Sequence, residues 1–231
     1  MWRLGLGMIL GGGFLAFYGV NEWRLAGGAG AAPEPIAAAE LEKGVPDNPY
    51  RTLGKHLPLY ASVVYMGKGK KGSAPTDVDY AYYGVVAPDS PGVTEFLAKI
   101  AALEVEFGDK EPPPDRLPPL PPVRIVVKSH IYKTVASLKA AVDKSAFPTE
   151  NLTGMVINRV SGLNADEVRL LRQGYRDFDP DKTVIFEAGR KPTDTLTALL
   201  MIAGGAVIAL IPVAIYFAGR GGSSAGQTAA A

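Results

Sequence analysis

The chain has 231 residues, 24 Lys+Arg against 23 Asp+Glu, and no cysteine. Arg3 and Arg220 lie at the two ends, so the stretch between is close to neutral and lacks the basic stripe that nucleic-acid binding requires. Without cysteine there is no thiol nucleophile and no iron–sulfur cluster, and the composition suits export.

Leu4–Val20 (LGLGMILGGGFLAFYGV) is the first of two uncharged apolar runs. A bilayer core of ~30 Å takes about 20 apolar helical residues, so this run is a short span. Trp2 and Trp23 bracket it as interfacial aromatics do, and Arg3 and Arg24 can snorkel to headgroups. A cleaved signal peptide is the competing reading, because Ala29-Gly30-Ala31 offers a small-residue pattern. That pattern lies far beyond the run, which favours an uncleaved anchor over residues 1–24.

Residues 25–49 are rich in Gly, Ala and Pro and read as a juxtamembrane linker, with one short helical stretch at Ile36–Lys43. A soluble domain is expected over residues 50–190. Leu59–Met66 and Val78–Ala87 are rich in Tyr and Val and predict two strands of a hairpin. By period two, Tyr80 and Tyr82 share one face, and Ala81 and Tyr83 the other.

The joining segment holds Gly67-Lys68-Gly69-Lys70-Lys71-Gly72, a literal G-x-G-x-x-G. A dinucleotide fingerprint must open a helix, whereas a second strand follows here, so a plain hairpin loop is the stronger reading. Lys68, Lys70 and Lys71 remain candidate ligands for phosphate or an anionic lipid headgroup.

Ser90-Pro91 predicts an N-cap followed by proline in the first helical turn. Phe96, Leu97, Ile100, Leu103 and Phe107 continue it as an amphipathic helix. Residues 111–122 are proline-rich, and Arg116–Pro122 matches a basic-x-x-P-x-x-P recognition segment. A stiff spacer between two halves of the domain is the plainer reading.

Val123–Lys128, Thr153–Val160 and Thr183–Phe186 predict three more strands. Helices are expected at Thr134–Val142 and after the capping box Asn164/Glu167, the latter stopping at Gly174. The resulting order, β-β-α-β-α-β-α-β, predicts an α+β fold: a mixed sheet with about three amphipathic helices, its second half paired in parallel.

The second apolar run, Leu196–Phe217, carries no charge and predicts a transmembrane helix within residues 191–219, followed by a disordered tail at 220–231. Gly7 and Gly11 on the first run, and Gly205 and Ala209 on the second, are four residues apart, a spacing that lets helix backbones approach in lipid. Pro212 interrupts the second run.

Chemical motifs are sparse. Asp177–Asp181 alternates carboxylates, but Lys182 and Ala188 stand where a calcium loop needs Gly and Glu. His56 and His130 are the only histidines, with no H-E-x-x-H spacing and no nucleophile elbow. No metal or cofactor is expected. Asn151-Leu152-Thr153 is a glycosylation sequon, relevant only in a eukaryotic secretory compartment.

Gly154–Arg159 (GMVINR), Phe186–Pro192 (FEAGRKP) before the Gly-rich second run, and the Tyr-rich hairpin together resemble an uncharacterised bacterial family of two-pass membrane proteins. The resemblance covers most of the chain and brings no assigned activity. A fainter one is to the Surfeit-locus cytochrome oxidase assembly family, which also places a mixed domain between two terminal spans. Val156-Ile157-Asn158-Arg159 is similar to a segment of that family, with Val160 where the family has glycine.

These features predict a two-pass protein of the bacterial inner membrane, its domain outside the cytoplasm and its partners the bilayer and another membrane protein or a second copy. A non-enzymatic scaffold or assembly role is expected. An enzyme with a membrane-linked substrate, or an anionic-lipid or nucleotide binder, is the alternative.

Overall fold

The computed structural model describes residues 2–68, 76–108, 110, 112–144, 149–158, 162–175 and 178–221. The chain forms two units, Met1–Gly28 with Pro192–Ala231, and Ala29–Lys191. The first unit is a pair of helices, α1 (Trp2–Gly28) and α6 (Thr195–Gly221). Both are long and apolar enough to cross a membrane. Each is longer than its uncharged run, and α1 continues through Glu22 and Arg24 to the glycine pair at its end.

The two helices run antiparallel, with Gly5 against Pro212, Gly12 against Gly205 and Ala209, and Gly19 against Met201 and Ile202. At Gly12 the backbones touch. A Cβ there would lie 2.5 Å from the Gly205 carbonyl oxygen, and one at Gly205 would lie 2.5 Å from the Gly12 carbonyl oxygen. The seam on α1 is therefore a seven-residue glycine repeat, whose spacing keeps one face turned to its neighbour. Gly205 and Ala209 lie on this seam. Gly7 and Gly11 do not, because a Cβ on either would meet nothing within 4 Å. At ~100° per residue, Gly11 points well away from Gly12. Near the other end of the pair, Thr193 Oγ1 donates to the buried Glu22 carboxylate at 2.5 Å.

The second unit is α+β. In chain order it contains β1 (Glu34–Ile36), α2 (Ala38–Leu41), β2 (Tyr50–Leu53), β3 (Leu57–Lys68), β4 (Asp77–Val86) and α3 (Pro91–Phe107). β5 (Ile125–Ser129), α4 (Val135–Asp143), β6 (Leu152–Val156), α5 (Ala165–Gly174) and β7 (Val184–Ala188) follow. The strands form one mixed sheet in the order β1-β2-β6-β7-β5-β4-β3. Among the described residues, β1–β2 and β5–β7 pair in parallel and the other neighbours antiparallel.

Two expectations change. The stretch read as a linker carries β1 beside its expected short helix, which is α2, and Ile36, Ala38 and Leu41 lie in the core. Their apolar side chains are too few and too local to announce a strand three residues long. The second half is not uniformly parallel either, since β6 runs antiparallel to β7. A period-two pattern identifies a strand and says nothing of its direction. Asn158 secures the unexpected pairing: its amide donates to the Thr183 carbonyl and its oxygen accepts the Ile185 N–H, each at 2.7 Å, so a side chain continues the ladder.

One face of the sheet holds the main core. Ala81, Tyr83 and Val85 of β4 meet Ile125, Val127, Val156 and Phe186 there, with Leu41 of α2 and Leu138 of α4 in the same cluster. The helices start as local chemistry dictates. α4 and α5 both open with reciprocal capping boxes, Thr134/Ser137 and Asn164/Glu167. α3 has Ser90 at its N-cap position, without a side-chain bond, and Pro91 in its first turn.

α3 buries little. Only Val93 is fully buried, while Phe96, Ile100, Leu103 and Phe107 are half-buried and Val105 is 89% exposed. The proline-rich segment turns back beside its end. Arg116 lies over the Phe107 ring and pairs with both Glu106 oxygens, at 3.1 and 2.9 Å. Arg116 sits in a 3₁₀ turn (Pro114–Arg116) and Pro121 is buried. The segment is thus tied to the domain at Arg116 and Pro121, while Leu117, Pro119 and Pro122 stand exposed.

Candidate functional site

The sheet face opposite the main core carries a polar and aromatic cluster, placed there by register. Tyr82 pairs with Lys128 across β4–β5, and Lys128 with Glu187 across β5–β7. Two residues along, Tyr80 comes beside His130, their rings 5.8 Å apart. α5 covers part of this face and brings in Glu167.

Glu167 is the centre of the buried part. Its Oε1 accepts from Tyr80 and Tyr82 hydroxyls at 2.7 and 3.1 Å, and its Oε2 accepts the Asn164 N–H at 2.7 Å. The capping carboxylate of α5 is therefore also the anchor that ties the helix to β4. Burial first, and Glu167 second, push both phenols well above their usual range, so they remain donors.

Glu187 is the centre of the outer part. Its Oε1 lies 3.2 Å from His130 Nε2, and its Oε2 accepts from Arg190 at 2.7 Å. Burial alone would raise its carboxyl. The Arg190 hydrogen bond, the charges of Arg190 and Lys128 and the His130 bond outweigh that and hold it below the usual glutamate range. Lys128 Nζ stands 4.4 Å from the Tyr80 ring centroid as a cation–π contact. His130 Nδ1 faces the Asp79 carbonyl at 2.9 Å. Both ring nitrogens thus face acceptors, and a neutral imidazole can donate to only one of them.

This arrangement ties β4, β5, β7 and α5 together. Three of the four carboxylate oxygens of Glu167 and Glu187 accept from side chains or backbone, and the fourth, Glu187 Oε1, faces His130 Nε2. His56 is elsewhere: it is buried, its Nδ1 lies 2.8 Å from the Gly54 carbonyl, and its Nε2 has no partner among the described residues. The two histidines therefore do not share a site.

No family model, curated protein or solved structure matches this chain. The reading of its surface rests on geometry. Lys68 closes β3 opposite Asp77, the first residue of β4. Lys70, Lys71 and the Lys68 side chain lie outside the described residues. Among the described residues no group of three metal-ligating side chains gathers. Asp179 instead accepts from Lys182 at 3.0 Å and from the Asp181 N–H, as a turn residue does.

A second feature is an open depression of roughly 630 Å³ on the β3 side of the domain. Ser62–Tyr65 and Gly67 form one wall, and Leu170, Gln173 and Gly174 of α5 the other. It arises from a bulge, because register jumps between Leu59 and Val64 of β3 while β4 advances only from Gly84 to Tyr82. Tyr175 supports the irregular backbone. Its hydroxyl accepts the Gly84 N–H at 2.6 Å and donates to the Leu59 carbonyl at 3.1 Å. Burial pushes this phenol up to about 12 against the opposing effect of the Gly84 bond, so the proton stays in place. Sequence reasoning placed Tyr80, Tyr82 and Glu167 on the right elements but could not join them. It missed Lys128, Glu187, Arg190 and Tyr175, for which a single sequence carries no pairing signal.

Proposed function

We propose that this chain is a membrane-anchored recognition domain, a non-enzymatic scaffold or assembly protein that binds another envelope protein. The observation that carries the reading is α3, whose apolar stripe is only half-buried and whose Leu97 and Val105 stand exposed. Unsatisfied apolar surface of this kind on a folded domain marks a contact surface for another protein.

Anchoring is by α1 and α6. Their outward side chains, such as Phe14, Phe17, Leu200, Leu210 and Ile215, are exposed, which suits lipid and is costly in water. The helices run antiparallel, so Trp2 and Gly221 lie on one side of the bilayer and Gly28 and Thr195 on the other. On this reading the membrane is the bacterial inner membrane, with the domain outside the cytoplasm.

The test is affinity purification of the full chain in mild detergent, read by mass spectrometry and light scattering. A stoichiometric membrane-protein partner or a defined self-complex is expected, weakened by Leu97→Glu or Val105→Glu. Recovery of a monomer with no stoichiometric partner would refute the reading.

A further inference from the structure

We infer that the segment Arg116–Pro122 is a displayed polyproline ligand, which docks its free edges in an aromatic-lined groove of a partner protein while a carboxylate of that groove takes Arg116. This rests on the recognition reading and names the chemistry of the partner.

The backbone of the segment is set by its composition. Pro118, Pro119, Pro121 and Pro122 have φ fixed in the polyproline II range, and each residue ahead of a proline is pushed towards the same region. Leu117, at the head of the run, has φ −66° and ψ 130°, against about −75° and +145° for polyproline II. Such a helix turns once every three residues and makes no internal hydrogen bonds. Accordingly, no backbone group of residues 117–122 bonds to another described residue.

A three-residue turn gives the segment three edges, and the fold treats them differently. Pro118 and Pro121 share one edge, the first half-buried and the second buried. Arg116, Pro119 and Pro122 share another, and all three are exposed. On the third edge Leu117 is exposed and Leu120 half-buried. A polyproline ligand lies in its groove by part of its circumference and keeps the rest outside. Here the part kept outside is the edge that the domain already holds. Fixing the segment at that edge removes freedom it would otherwise lose on binding.

The chemistry names the occupant. Exposed prolines offer rigid apolar faces, and the unpaired carbonyls between them accept hydrogen bonds. Tyrosine and tryptophan match both, with a ring for the proline and a donor for the carbonyl. Arg116 supplies a polar end. Its Nη2 bonds Glu106, while its Nη1 and Nε bond no described residue. Those donors suit a second carboxylate, and the Phe107 ring beneath the guanidinium holds it in place.

A second copy does not supply the groove. Among the described residues, no aromatic side chain of the Ala29–Lys191 unit is exposed. An anionic bilayer surface fits no better, because Asp115 and Glu106 flank Arg116 and are repelled by it.

The test measures binding of the full chain in detergent to three purified polyproline-binding domains as probes, an SH3, a WW and an EVH1 domain. At least one should bind. Replacing Pro119→Ala and Pro122→Ala together should weaken that probe at least about tenfold, as should Leu117→Asp. All three positions are exposed, so near-UV circular dichroism of the variants should match the parent. No binding by any probe, or binding that both variants retain, would overturn the inference. Loss of phosphatidylglycerol vesicle binding in the double variant would also overturn it, by assigning the edge to lipid. So would a dimer that the double variant converts to monomer. Should a stoichiometric partner from affinity purification stay bound to the double variant and be lost with Leu97→Glu, the polyproline inference falls and the recognition reading stands.

Discussion

Replacing Tyr175 by Phe removes one oxygen atom and should cost the domain several degrees of thermal stability. The hydroxyl bridges β3 and β4 at the bulge, accepting from Gly84 and donating to Leu59. The residue is 2% exposed, so water does not readily replace it. Each buried group left without a partner costs ~1–3 kcal/mol, the N–H more reliably than the carbonyl, which has a second lone pair. About 2–4 kcal/mol is therefore expected, with no compensating loss of apolar packing because the ring remains. For a domain of this size ~1 kcal/mol moves the midpoint by roughly 2–4 °C, so a fall of about 5–15 °C should follow. The tyrosine bands of near-UV circular dichroism, read apart from the tryptophan bands of Trp2 and Trp23 in α1, follow the domain, which holds eight of the chain's ten tyrosines. A midpoint within about 2 °C of the parent would show that the bulge backbone is satisfied some other way, and the account of why the bulge is tolerated would be wrong.

Glu187→Gln should flatten the acid limb of the stability curve. A carboxyl held below its usual range stabilises the fold above the unfolded-state value and loses that contribution as pH falls through the folded one. Acid unfolding followed by tyrosine fluorescence should therefore be less steep in the variant below the ordinary glutamate range, and an unchanged acid limb would count against the His130–Glu187–Arg190 arrangement. Asn158→Ala removes two 2.7 Å bonds that extend the β6–β7 ladder and should destabilise by ~1–3 kcal/mol in urea titration, whereas a neutral result would mean the strands hold without it. On the helix pair, Gly5→Cys with Pro212→Cys should cross-link on mild oxidation of this cysteine-free chain, since a Cβ on Gly5 lies 3.3 Å from that of Pro212. Adding Gly12→Leu should suppress the cross-link and adding Gly11→Leu should not; equal suppression by both would move the seam.

How far the sequence alone reaches can be judged from particular elements. The strands around Tyr65, Tyr82, Val126, Gly154 and Ile185 and the helices after Ser90, Thr134 and Asn164 were legible because each is encoded locally. Alternation, helical spacing and capping act between neighbours a few residues apart. β1 and β2 were missed because short strands owe their existence to the partners beside them, Leu53 to Leu152 for one. The glycine motif was legible as a motif only. Four-residue spacing singled out Gly7 and Gly11, while the choice of Gly5, Gly12 and Gly19 needed the position of α6.

The sequence by itself determined two long apolar segments, a near-neutral domain between them, and most of the domain's helices and strands. These follow from hydrophobicity and from bonds between near neighbours. The tertiary structure decided strand order, the antiparallel setting of β6, and the company each polar group keeps. Tyr80 and Glu167 are 87 residues apart, and Thr52 and Thr153, joined at 2.9 Å, are 101 apart. Such pairs are chosen by burial of the whole sheet, which must give every polar group it takes from water a partner.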